Sequence, residues 1–290
     1  MIILKYKATS IQPYTEYLQG LTIPKIFVVD TIPEKHREVN KEFVDNFIEN
    51  GVESFTCLSK NLQSVLYEKY ADGIIVLSEL DKKLFKSYYP KASDKPIEVI
   101  PPSLGQSKDI KIKFDNFKPN LLCAFNGEPS YANGILAAGE TVHRNEQLTW
   151  HIYGVHGRSD LNDEFLVNGI LNTSPNVKFR GRLKNFDNFF KLYHIYLNPS
   201  IYDSFNYFTF LSLLNGMVPI VGSNTGTSSY FKSYPFISES TPESVEYFTN
   251  LILNTSEEQL RVILFNCMPF LEELSNEVVE KKYQTFLNEF

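Results

Sequence analysis

Asp203, Ser204, Phe205 and Asn206 stand between an apolar run, Ile195-Tyr-Leu197, and a helix-period segment over about 204–215. A strand that passes straight into a helix leaves unpaired backbone N–H groups and the positive end of the helix dipole at the strand's carboxyl end. That place favours an anion such as a diphosphate. A carboxylate there, Asp203, can also accept hydrogen bonds from ligand hydroxyls. The same residue types have a purely structural use, because Asp and Ser cap helices; both roles can coexist. Arg158, in the loop after Gly154, and Arg180, Arg182 and Lys184, around Gly181, are the cations whose loops follow strands on the same side. They either neutralise phosphate or sit as solvated surface charges. His36 reads as a surface helix residue and His151, inside a strand, as a packed one. The sequence has no HExxH, clustered Cys/His or EF-hand spacing, no GxSxG and no Walker loop, so none of those motifs marks a metal, acyl-transfer or P-loop site.

The elements that must position these residues alternate. Strand candidates are Ile2–Tyr6, Lys25–Val29, Gly73–Leu77, Ile97–Ile100, Leu121–Phe125, Thr149–Tyr153, Val177–Phe179, Ile195–Leu197 and Val218–Val221. Helix-period stretches fall near 11–20, 34–50, 56–70, 132–144 and 204–215, with a helix capped by Ser78 running to about Tyr89. Short strands alternating with helices predict parallel sheets, and the near-continuous apolar run at 73–77 predicts a strand covered on both faces. The polar stretch Ser103–Lys118 breaks the pattern. The reading therefore expects two Rossmann-like domains, 1–105 and 106–290, with ligands at the carboxyl ends of the strands. From about 242 onward the chain reads as mostly helical. Leu260, Ile263, Leu264, Leu271, Leu274, Val278, Tyr283 and Phe286 form a broken stripe that Pro269 must kink or divide.

Five motifs follow one another in an order that resembles a known family. They are Ala71-Asp-Gly-Ile-Ile-Val-Leu-Ser78 with Ile97-Glu-Val-Ile-Pro-Pro102; Asn126-Gly127; His151-Ile-Tyr-Gly154; Val177-Lys-Phe-Arg-Gly181; and Leu197-Asn-Pro-Ser-Ile-Tyr-Asp-Ser-Phe-Asn206 followed by Asn215-Gly-Met-Val-Pro-Ile220. The series is similar to retaining GT-B glycosyltransferases of the glycogen-synthase and sucrose-synthase-like group (glycosyltransferases group 1), over nearly the whole chain. The resemblance implies an α/β GT-B fold, two Rossmann-like domains facing across a cleft, with the last helix crossing back onto the first domain. It implies transfer of a hexose from a nucleotide sugar to an acceptor hydroxyl, with retention, no obligatory metal and no separate cofactor. Asp203 would orient the donor sugar. Asn126, Gly127, Gly154, Ser204, Phe205, Asn206, Tyr207 and the Thr225-Gly226-Thr227 loop would hold the donor, with Arg158 or Arg182 supplying positive charge. The Asn224–Ser228 loop also has the composition of a simple turn.

Three departures from the family pattern point the other way. The second family glutamate, eight residues after the first, is Leu211, which cannot hydrogen-bond a ribose. The family's Arg and Lys after the first strand are Glu128 and Asn133 in Gly127-Glu-Pro-Ser-Tyr-Ala-Asn-Gly134. Each lost charge-assisted phosphate contact is worth roughly 1.5–3 kcal/mol. The start at Met1 resembles the middle of the family's first domain, so that domain is expected to be reduced. These departures support a rival: a catalytically inactive relative that binds a glycan or protein, or stabilises a partner.

Composition bounds the partners. The 290 residues carry 28 Lys and Arg against 34 Asp and Glu, a net charge of −6. That balance argues against general nucleic-acid binding. No apolar run reaches the roughly 18–20 residues of a membrane span, and the start lacks signal-peptide features. Cys57, Cys123 and Cys267 are odd in number and without CxxC, which fits buried thiols in a cytoplasmic protein. Asn172-Thr-Ser and Asn254-Thr-Ser then match the glycosylation pattern by chance. Aromatics at 14% suit a large core or, equally, a homo-oligomer or partner-protein interface.

Overall fold

The computed structural model describes residues 2–5, 18, 20–29, 67–105, 121–124, 134–145, 148–153, 175–181 and 186–290. The helical stretch expected at 34–50, most of those at 11–20 and 56–70, and the connection after 105 lie outside the described residues.

Two sheets form, each with every described pairing parallel. The first has the order β1-β2-β3-β4, from Ile2–Lys5, Lys25–Val29, Gly73–Val76 and Ile97–Val99. The second has the order β10-β9-β8-β5-β6-β7, from Leu121–Ala124 (β5), Trp150–Tyr153 (β6), Val177–Phe179 (β7), Ile195–Asn198 (β8), Val218–Gly222 (β9) and Ile237–Ser238 (β10). Pairing registers such as Cys123 with Leu197 and Leu197 with Ile220 put β8 between β5 and β9. Chain order runs outward from β5 to β7 on one side and from β8 to β10 on the other. The reversal lies between β5 and β8, and ligands in open parallel sheets settle at the carboxyl ends of strands at such a switch point. Asn198, the last residue of β8, is at that point.

The strands read as apolar because both faces are covered. Ile74, Ile75 and Val76 are fully buried. Ile74 and Val76 join Phe27, Phe85, Tyr67 and Tyr89 on one face. Ile75 joins Ile26, Ile100, Val279 and Phe286 on the other. Helix α1 (Glu79–Tyr88) starts where predicted: the Ser78 side chain accepts the Asp81 amide at 3.1 Å. In the second sheet Trp150, Ile152, Ile195 and Leu197 point into the main core. Tyr196 points oppositely, into a cluster with Phe189, Phe190, Tyr193 and Met217. This cluster rests on α3 (Phe186–Leu192), an element the sequence reading does not contain. Helix α2 (Ile135–Arg144) starts after Gly134, whose φ is +72°.

The tail divides as Pro269 requires: α5 (Pro242–Asn254), α6 (Glu257–Phe265), α7 (Met268–Glu272) and α8 (Asn276–Leu287). Leu260, Leu264, Leu271 and Leu274 join the main core. In α8 the expected Phe286 is buried, but its partner is Val279 rather than the expected Val278, which is exposed. Helix α8 lies on the first sheet through Val279 and Phe286. Backbone bonds Leu104 N to Leu274 O (2.9 Å) and Asn276 N to Gly105 O (3.0 Å) fasten its approach.

Candidate functional site

The segment leaving β8 is held rigidly before it reaches Asp203. Buried Asn198 accepts the Ser200 hydroxyl at 2.7 Å. Ser240 donates to Ser200 O at 3.0 Å. The helix that follows, α4 (Tyr207–Leu214), starts later than the expected 204. Its cap is Asn206, whose Oδ1 accepts Thr209 N at 3.0 Å. Asp203 and Ser204 therefore do not cap the helix; Asp203 holds the cap. Its Oδ2 accepts the Asn206 side-chain amide at 3.0 Å and its Oδ1 accepts Phe205 N at 3.2 Å. Replacing Asn206 with alanine should lower stability by about 2 kcal/mol, the upper end for a cap, because the Asp203 contact goes too. Urea unfolding would measure it.

A second loop closes on this turn. After β9 the chain makes a 3-10 helix, Gly226–Tyr230, where the sequence was read only as a loop, either donor-holding or a simple turn. Gly226 N donates to Asp203 O, and Asn206 N donates to Thr227 Oγ1, each at 2.7 Å. Thr225 is tied down in turn, its hydroxyl donating to Gly222 O at 2.7 Å. Aromatic rings pin both loops to α4. Phe205 stacks on Phe210 at 4.9 Å, and Phe231 on the same ring at 5.3 Å. Such pairs add roughly 0.5–1.5 kcal/mol each beyond area burial.

Asp203, Ser204, Phe205, Asn206, Tyr207, Thr225, Gly226 and Thr227 thus lie together at the carboxyl ends of β8 and β9. Ser204, Phe205, Thr225 and Thr227 are buried, Asp203 and Asn206 are partly buried, and Tyr207 is exposed. Loss of water around Asp203 pushes its carboxyl up to about 6, against the pull of the Asn206 amide and the Phe205 N–H. It is mostly ionised at neutral pH, and its remaining lone pairs can accept further hydroxyl donors. Asn126, Gly127, Gly154, Arg158 and Arg182 lie outside the described residues, as do Glu128, Asn133, Lys184 and His36.

Leu211 packs with Phe208 and Tyr153 against the Phe189–Tyr193–Tyr196 cluster. Its surroundings are apolar, as its own side chain is. His151 is half-buried on β6. Its Nδ1 meets the Tyr193 hydroxyl and its Nε2 lies 3.2 Å from Arg180 Nη2. Burial, then the Arg180 and Lys178 charges, push it down to about 4, so it is neutral at pH 7. Arg180 is exposed and engaged with this histidine. Cys267 is buried and free, and burial pushes its thiol up to about 12. Among the described residues no cluster of three His, Cys, Asp or Glu could hold a metal ion, and no helix is long and apolar enough to cross a membrane.

Sequence reading missed how the first sheet reaches this site. Tyr202 Oη donates to Asp81 Oδ1 at 3.0 Å and lies 3.0 Å from Ser204 Oγ. Tyr230 Oη reaches Leu77 O at 3.4 Å. Ser78 was legible as a cap, but nothing in the sequence pairs Asp81 with a tyrosine 121 positions away.

No family model matches the chain, and no curated protein matches it in sequence. Solved structures do. Sucrose-phosphate synthase from Thermosynechococcus elongatus is 12% identical, with a TM-score of 0.70, covering 96% of this chain and 70% of its own. A UDP-forming α,α-trehalose-phosphate synthase from Burkholderia xenovorans is 11% identical, with a TM-score of 0.65, covering 99% of this chain and 73% of its own. The pneumococcal O-GlcNAc transferase GtfA, solved with UDP and GlcNAc, is 18% identical, with a TM-score of 0.57. It covers 96% of this chain, which spans 54% of that protein's length. At such identities the likeness speaks for the fold. Two parallel sheets, a β5/β8 switch point and this match over nearly the whole chain agree: the chain has the GT-B fold that these structures share.

Proposed function

We propose that this protein is a glycosyltransferase that moves a hexose from a nucleotide sugar to an acceptor hydroxyl, with retention of anomeric configuration. The observation that carries this reading is the joining of the Asp203 turn to the Gly226–Tyr230 helix at the switch point of a GT-B fold. Asp203 orients the donor sugar by accepting its hydroxyls. The turn and the 3-10 helix face the diphosphate, with Arg158 or Arg182 supplying positive charge. Rate then comes from placing the acceptor and stabilising the leaving diphosphate.

One observation favours the second reading, an inactive relative that binds a glycan or a partner protein. Three amides at the expected phosphate site are already engaged: Phe205 N by the Asp203 carboxylate, Asn206 N by Thr227, and Gly226 N by Asp203 O. Thermal unfolding against UDP, GDP, ADP, CMP and their sugar conjugates separates the two. The transferase reading expects one nucleotide, at about 100 times its dissociation constant, to stabilise the fold by roughly 2.7 kcal/mol. No shift with any of them would support the inactive relative.

A further inference from the structure

An acidic residue three positions after a Ser cap ordinarily turns back to the cap's own amide and closes a box. Asp81 does not. It is fully buried, and its Oδ1 reaches out of the first sheet's helix to accept Tyr202 Oη at 3.0 Å. That same hydroxyl lies 3.0 Å from Ser204 Oγ. Tyr202 and Ser204 are the two neighbours of Asp203. The other oxygen, Oδ2, has no hydrogen-bond partner among the described residues. The two sheets touch closely here. A Cβ placed on Gly226 would lie 2.3 Å from Ser78 Oγ and 1.9 Å from Ser204 O.

We propose that Asp81 is a protonation-sensitive latch between the two sheets and the positioning residue of the Asp203 turn. The contact it closes is the one on which the donor site stands, so its importance for transfer rests on the reading given above; the latch itself does not. Burial of a charged carboxylate with one oxygen unpartnered is unfavourable. The protonated form suits the shut contact, and the ionised form favours parting of α1 from the turn so that Oδ2 meets water.

The groups around Asp81 fit this assignment. From the turn they are Tyr202, Ser204 and Asp203; from the cap, Ser78. From the 3-10 helix comes Tyr230, raised by burial and by Glu273, Glu79 and Asp81. The strands beneath and the short turn after α1 bring apolar Ile74, Val76, Ile97 and Ala92 to the same core. Burial, the largest effect, raises Asp81 from 3.8 to about 6; the Ser204, Ser78 and Tyr202 hydroxyls oppose it and Asp203 adds to it. The sign follows. With the carboxyl near 4 when the contact is open and about 6 when shut, the shut form binds the proton more tightly. The shut-to-open ratio then falls about tenfold between pH 5 and pH 7.5.

Hydrogen exchange of the Gly226 amide, which donates to Asp203 O, reads the latch without any nucleotide. Its failure is therefore separate from failure of the donor-site reading. Wild type should lose about tenfold in the Gly226 protection factor from pH 5 to pH 7.5. Asp81→Asn should lose clearly less over that range, keeping only what the raised Asp203 carboxyl contributes, and Tyr202→Phe, which removes the donor to Oδ1, should lose more than wild type. Phe205 is bonded to the Asp203 carboxylate, which burial also raises to about 6; its protection should therefore fall with pH in wild type and in Asp81→Asn alike. A pH-independent Gly226 amide in wild type, or the same loss in Asp81→Asn, would overturn the proposal. Should Asp81→Asn fail to fold, a Tyr202→Phe profile identical to wild type would overturn it equally.

Discussion

Alanine at position 203 should abolish the nucleotide-dependent rise in melting temperature and lower transfer by about a hundredfold or more, ~2.7 kcal/mol in the transition state. The size follows from two losses. The donor sugar loses a charged acceptor, and hydrogen bonds to charged groups are worth roughly 1.5–3 kcal/mol each. The turn loses what shapes it, because the carboxylate holds both Phe205 N and the Asn206 amide. Asn206 then caps α4 less firmly, and its backbone N–H and that of Gly226 carry the contact with the 3-10 helix. Asparagine should be intermediate in effect. It can still accept Phe205 N–H, but its own NH₂ then faces the Asn206 amide, donor against donor. Steady-state kinetics of the three proteins with the nucleotide sugar that shifts the melting curve would measure the order. Equal rates for wild type and alanine would remove Asp203 from the site.

Alanine at Gly134 should destabilise the fold by about 4 kcal/mol, among the larger single-residue effects. Gly134 precedes α2 with φ of +72°, a conformation that costs an L-residue about 1–2 kcal/mol. A Cβ there would lie 1.9 Å from Pro199 O and 2.6 Å from Pro199 C. Pro199 directly follows β8, in the segment pinned through Ser200 by Asn198 and Ser240. Backbone, not a flexible side chain, would have to move, and it is the backbone that leads to Asp203. Chemical denaturation would show the loss as a lower midpoint with unchanged slope. A change under 1 kcal/mol would mean that α2 and the β8 exit are not packed as described. The glycine ending Gly127–Gly134 thus has a steric reason to be there even though the Arg and Lys of that motif are replaced by Glu128 and Asn133.

Periodicity was enough to read most strands and α1, since a parallel strand covered on both faces leaves a continuous apolar run. Gly73–Val76 and Val218–Gly222 are buried throughout. It was not enough to read α3: Phe186, Phe189 and Phe190 do stand at i, i+3 and i+4, but the helix is only 7 residues long, shorter than the window in which the period shows. Nor was it enough for the 3-10 helix, because Gly-Thr-Ser-Ser-Tyr has the composition of a turn. Motif order placed the Asp203 turn and the Thr225–Thr227 loop in one region. The division of labour within them was not legible: Asn206 and Asp203 are both good capping types, and only coordinates show that one caps while the other holds the cap. Strand order and the Asp81 contact depend on partners far apart in sequence, where local patterns carry no information.

The central claim, a nucleotide-sugar site on the Asp203 turn, is tested most directly by the electron density of crystals soaked with the nucleotide sugar that raises the melting temperature. The account predicts the sugar against the Asp203 carboxylate and the diphosphate against residues 204–207 and the Gly226–Tyr230 helix. A nucleotide bound elsewhere, with the turn and the 3-10 helix untouched, would contradict it.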